Sequence, residues 1–128
     1  MPSLKFNPQD SVIVVETKIW GVSLVSTVRL VFDTGASLAI LPWKLVTGLG
    51  LKIDQAKVIQ TTTASTVESV PMITIPKMSV LGEEVKKVDV LVKDLPPEAG
   101  VDGLLGLSFI KNFQVHIDFN NGVLTLDR

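Results

Sequence analysis

In the segment Phe32-Asp33-Thr34-Gly35-Ala36-Ser37, residue type and spacing together suggest a reaction. An alternating stretch, with Val28, Leu30 and Phe32 set against Thr27, Arg29 and Val31, reads as a β-strand and runs straight into an aspartate. A carboxylate at the end of an apolar strand is costly unless it is hydrogen-bonded or shared. Donors are close by: the hydroxyls of Thr34 and Ser37 and the backbone N–H groups of the Gly35-Ala36 turn. Gly35, two residues on, lets the chain turn sharply. A carboxylate held in this way can accept and return a proton in general acid–base chemistry. The same residues also suit an Asx turn that merely caps the strand. Taken alone, the hexapeptide does not choose between the two.

The rest of the composition narrows the chemistry. The chain has 128 residues, no cysteine and one histidine. That removes thiol nucleophiles, disulfides, zinc–thiolate sites and iron–sulfur clusters, as well as any multi-histidine metal site. No metal and no cofactor is expected. The net charge of −1 lacks the basic face that nucleic acids and anionic membranes require. No apolar run reaches the roughly 18 residues of a membrane span, and residues 1–10 are polar, unlike a signal peptide. The default expectation is a cytoplasmic chain. His116 and Asp118, two apart on one strand, read as a solvent-facing pair rather than a metal or acid–base site.

The elements that must hold Asp33 read as mostly β. Hydrophobic residues make up 46% of the chain. Val and Ile supply 28 positions and Thr another 10, side chains that are stiff at χ1 and suit a pleated sheet. Turn signals recur about every 8–12 residues. Strands are expected over Ser11–Ile19 and Val22–Phe32 around Trp20-Gly21, and over Leu38–Leu41. Further strands are expected over Val58–Thr63 and Val67–Ile75 around Ala64-Ser65-Thr66, and over Met78–Leu81 and Val85–Val92 around Gly82-Glu83. A last pair, Val115–Phe119 and Val123–Leu126, flanks Asn120-Asn121-Gly122, the strongest turn signal in the chain. Short helices are expected over Trp43–Thr47 and Leu107–Asn112, and Leu95–Gly100 reads as a loop. One all-β domain over residues 1–128, a barrel or a sandwich, accommodates this spacing.

Three features in order resemble the retropepsin-like aspartic proteases. Phe32-Asp33-Thr34-Gly35-Ala36-Ser37 resembles their catalytic loop. Asp102-Gly103-Leu104-Leu105-Gly106, about 70 residues later, resembles their apolar-apolar-Gly element, which leads into a short helix. The Val58–Ile75 hairpin lies where the family has its flap. The resemblance covers roughly Val12–Leu126. It implies a closed barrel-like acid-protease fold with one or two short helices and a flap hairpin. It also implies an aspartic endopeptidase. Pepsin-like chains carry two Asp-Thr-Gly loops and this chain carries one, so the resemblance implies a homodimer, each chain being half of a two-fold symmetric unit. Two Asp33 carboxylates then share one proton and activate a water between them.

Roles follow by resemblance, residue by residue. Asp33 is the catalytic carboxylate. Thr34 bonds across the dimer axis, and the carbonyl of Gly35 faces the substrate. Ser37, Ala36 and Leu104, with Thr62, Thr63, Ala64 and Ser65 of the flap, bind an extended polypeptide. Ala36 stands where pepsins often carry a serine whose hydroxyl bonds the carboxylate. The flap departs from the family too: it has neither the glycine-rich tip of retroviral members nor the aromatic of pepsins. The terminal segments do not obviously match the interleaved termini of retroviral dimers; Leu124 and Leu126 suit either an edge pairing or a core hairpin. The alternative function is a catalytically silent module of the same fold that binds a peptide or partner strand.

Overall fold

The computed structural model describes residues 2–53, 57–62 and 64–128. Ten strands and two short helices come in the order β1 (Ser3–Lys5), β2 (Val14–Trp20), β3 (Val25–Phe32), β4 (Ala39–Leu41), α1 (Trp43–Gly48), β5 (Lys57–Thr62), β6 (Val67–Val80), β7 (Glu83–Val92), β8 (Gly103–Leu105), α2 (Leu107–Ile110), β9 (Gln114–Asp118) and β10 (Val123–Asp127). A 3-10 turn over Pro97–Ala99 lies between β7 and β8.

Six strands close into a barrel in the order β2-β3-β8-β4-β7-β6, and β6 returns to β2 through the pairs from Thr17↔Val80 to Trp20↔Lys77. The barrel is mixed: β3–β8 and β4–β7 are parallel, the other pairs antiparallel. β5 extends β6 beyond the ring. A second, three-stranded sheet has the order β1-β10-β9.

Alternation decides the inward face. In β2, Val15, Thr17 and Ile19 are buried while Glu16 and Lys18 are exposed, as a strand with one wet face requires. Leu30, Leu41, Ile75, Leu105 and Phe109 join the two apolar ones in one core cluster, each contributing about 1.5–3 kcal/mol by leaving water. Leu124 and Leu126 are fully buried in the same cluster, so the C-terminal hairpin finishes the core. Thr17 is a polar intrusion, and its hydroxyl finds no hydrogen-bond partner.

The expected hairpins form, with shifts that have local causes. The β2–β3 turn covers Gly21–Leu24, closed by the Gly21 N–H on the Leu24 carbonyl at 2.8 Å, so β3 starts at Val25 rather than Val22. The β6–β7 turn is Leu81-Gly82, both with positive φ, and not Gly82-Glu83; two such residues make the tight hairpin turn whose twist matches the strands. β6 is one strand of 14 residues rather than two. Its prolines are tolerated: Pro71 lies where β6 pairs with β5 alone, and Pro76 lies between the rungs Ile75↔Val88 and Lys77↔Lys86. α2 ends at Ile110, two residues early. Among the described residues no helix is long and apolar enough to cross a membrane, and no group of three or more His, Asp or Glu is placed to hold a metal ion.

Candidate active site

Asp33 comes directly after β3, at the point where that strand meets β8. Parallel pairing sets Leu30 opposite Gly103, Val31 opposite Leu104 and Phe32 opposite Leu105. The ladder continues one step further: the Asp33 N–H donates to the Leu105 carbonyl at 3.0 Å. At the other end of β8, the Asp102 carboxylate accepts the Arg29 N–H at 2.8 Å, and the Asp102 N–H donates back to the Arg29 carbonyl at 2.9 Å. Asp102 thus clamps β8 to β3 and so fixes the strand beside Asp33.

The loop after Asp33 turns on its own side chain. The Gly35 N–H donates to Asp33 Oδ1 at 2.8 Å, and the Ala36 N–H donates to the Asp33 carbonyl at 3.3 Å. Asp33 is half-buried; Thr34, Gly35 and Ser37 are exposed. The carboxylate is thus oriented from one side while its loop faces solvent. The Asx-type bond expected of the hexapeptide is present, and it leaves the carboxylate half-buried.

Residues 36–39 are moulded on the start of α2. The Leu107 N–H donates to the Ala36 carbonyl at 2.8 Å and the Ser108 N–H to the Ser37 carbonyl at 3.0 Å. The Ala39 N–H donates to Ser108 Oγ at 3.0 Å. Between these bonds the loop lies against Gly106, where a Cβ would sit 2.5 Å from the Leu38 carbonyl oxygen and 2.7 Å from that of Ala36. Gly103 is equally confined, by the Ile40 carbonyl. Glycine is required at both positions by close backbone approach.

Leu104 pairs with Val31 on one side and Ile40 on the other. All three are half-buried and share the face of the sheet opposite Leu105, forming an apolar strip next to the Asp33 loop. Leu105, next to it in the chain, by contrast has no exposure and belongs to the core. Thr62, Ala64 and Ser65 lie exposed at the end of the β5–β6 hairpin. Among the described residues no hydrogen bond joins them to the Asp33 loop; Thr63 lies outside the described residues. Sequence reasoning missed Val31, whose register was not visible before β8 was recognised as a strand, and Ser108, whose hydroxyl gives no signal until α2 is set against Ala39.

A depression of about 340 Å³ opens beside the loop, lined by Asp33, Thr34, Val12, Phe6, Ile117 and Phe119 among others. Phe119 is 65% exposed and stacks edge-on against Phe6 with ring centroids 6.2 Å apart.

The family model described as aspartyl protease matches residues 15–109, well over half the chain, taking in the Asp33 loop and β8 together. The chain belongs to the aspartyl protease family. Among solved structures, this family member is similar to a retropepsin-like aspartic protease from Rickettsia conorii, with a TM-score of 0.68 and 22% identity, over 95% of this chain and 94% of that one. It is also similar to the retroviral protease-like domain of Ddi1 from Leishmania major, with a TM-score of 0.63 and 17% identity, over 94% and 91% of the two chains. Both likenesses establish the retropepsin-like fold. The curated proteins contain no match.

Proposed function

We propose that this aspartyl protease family member is an endopeptidase that works as a two-fold symmetric homodimer, each chain supplying one Asp33. The observation that carries the reading is the surface carboxylate of Asp33, held by the Gly35 N–H at 2.8 Å on a loop that is fixed from behind by β8 and α2. The two carboxylates share one proton. The ionised one takes a proton from a water between them, and the protonated one donates to the scissile carbonyl oxygen. The roles then reverse as the leaving amine is protonated.

Thr34, exposed beside Asp33, reaches across the axis. The terminal strands are already paired within the chain, β1 with β10, so the dimer contact centres on the Asp33 loops rather than on interleaved ends. The substrate is an extended polypeptide lying between the Gly35–Ser37 backbone and the tip residues Thr62, Ala64 and Ser65, which act as a flap. The strip Val31–Leu104–Ile40 favours apolar side chains next to the scissile bond. A second reading, a silent peptide-binding module, is favoured by one observation: each chain has a single Asp-Thr-Gly, and a monomer has half of the required pair.

The test is cleavage of an unfolded protein across pH 3–7 by wild type and Asp33→Asn. We expect the variant to lose at least about 10²–10⁴-fold in kcat with its fold retained, and the wild-type rate to rise more steeply than protein concentration. Equal behaviour of the two folded proteins would leave the silent module.

A further inference from the structure

We infer that Ser108 is a positioning residue for substrate binding: its hydroxyl sets the segment Ser37–Ile40 against the Asp33 loop. This deepens the endopeptidase reading and rests on it. Residues 36–39 are held by three hydrogen bonds from the start of α2, and two of them are backbone bonds that any residue but proline at 107 and 108 would make: Leu107 N–H to Ala36 and Ser108 N–H to Ser37. The third is the Ala39 N–H on Ser108 Oγ at 3.0 Å, the one member of the grip that depends on a side chain. Ser108 is half-buried and Ala39 fully buried, so an Ala39 N–H without this acceptor has no water to turn to.

The order of the chain decides which residues that bond controls. Ala39 opens β4, and the next residue, Ile40, is the registered neighbour of Leu104 in the apolar strip. Ser37, two residues back, presents its exposed side chain on the loop. Asp33 itself is fixed by different bonds, the Leu105 carbonyl behind it and the Gly35 N–H in front. Loss of the Ser108 hydroxyl therefore releases the residues that receive a substrate while leaving the carboxylate in place. The signature is a rise in KM with kcat and the pH–rate limbs unmoved, because a uniformly lost binding contribution appears in KM.

The experiment compares wild type, Ser108→Ala, Ser108→Thr and Asp33→Asn, all assayed well below their melting temperatures on one apolar peptide substrate. Amide hydrogen exchange at Ala39 is followed in parallel. We expect Ser108→Ala to raise KM about tenfold, to keep kcat and both limbs of the pH profile, and to speed exchange at Ala39. Ser108→Thr, which keeps the hydroxyl, restores KM. The inference is overturned if Ser108→Ala keeps the wild-type KM, if its loss merely tracks the unfolded fraction, or if kcat falls and the pH limbs move, since the hydroxyl would then act through Asp33. Failure of the endopeptidase reading looks different: wild type and Asp33→Asn would be equally inactive.

Discussion

Among the turns that carry exposed polar residues, two are built in opposite ways. The Asp33 loop is fixed from several directions: Leu105 holds its first residue, Gly35 holds the carboxylate, and Leu107 and Ser108 hold residues 36, 37 and 39. Gly106 lets the neighbouring backbone press against it, and Gly103 does the same for Ile40 just beyond it. The end of the β5–β6 hairpin is held along its own ladder, whose last rung is Thr62↔Val67. Below it, Gln60 Nε2 donates to Ser69 Oγ at 2.9 Å, and the Lys93 ammonium reaches Glu68 at 2.8 Å across exposed surface, an ion pair worth about 0–1 kcal/mol. Geometry at the carboxylate is over-determined by bonds from other elements, while the described bonds near the hairpin end lie mostly along its own ladder.

The comparison breaks first at Gly106. Gly106→Ala pushes a methyl group into the Leu38 and Ala36 carbonyls, backbone that has nowhere to retreat. We expect a loss of about 3 kcal/mol or more of stability, read as a large drop in the denaturation midpoint, with cleavage lost in whatever remains folded. A third turn sharpens the contrast. The Asp118 carboxyl lies below its ordinary value of 3.8, chiefly because the Asn121 side chain donates to it, helped by the N–H groups of Asn121 and Asn120 and, least, by the charge of nearby His116. A depressed folded value stabilises the protein above the unfolded value near 3.8, and the contribution disappears as pH falls through the lower folded value. Asp118→Asn should therefore lower the melting temperature at pH 7, and the gap to wild type should narrow and close as pH falls below 3.8 through the lower folded value, by calorimetry. The smallest effect belongs to the hairpin end: Ser65→Ala, at an exposed position, should change stability by less than about 0.5 kcal/mol. If it proved as costly as Gly106→Ala, the two turns would not differ in the way described.

These turns are unequally legible in the sequence. Asp33 and its loop are readable because an apolar strand ending in Asp-Thr-Gly is a local signal, and the hairpins are readable from their turn residues. β8 is not, because three residues, Gly103–Leu105, become a strand only through partners on two sides, Leu30–Phe32 and Ile40. β1 escapes notice for the same reason: Ser3–Lys5 is defined by β10, more than a hundred residues away in the chain. Leu104 and Leu105 look alike in sequence and point to opposite faces, a distinction that register alone decides. Ser108 is the extreme case, a common residue whose role exists only once α2 is docked on Ala39.

The long strand β6 has one place where its partnership with β7 lapses. By register Pro76 falls opposite Lys87, yet that rung is missing: proline has no N–H to give, and Lys87 has φ 57°, a left-handed conformation uncommon for a residue with a side chain. On one side of the gap, Lys77–Val80 is stitched to both β2 and β7 and closes the barrel. On the other, Ile73–Ile75 pairs with β7, Met72 with both β5 and β7, and Val67–Pro71 with β5 alone. The crease at Pro76 therefore lies inside the barrel wall, with Ile73 and Ile75 buried beyond it. The page that stands clear of the wall is Val67–Pro71 with β5, and its fold is at Met72, the last residue of β6 that both neighbours hold.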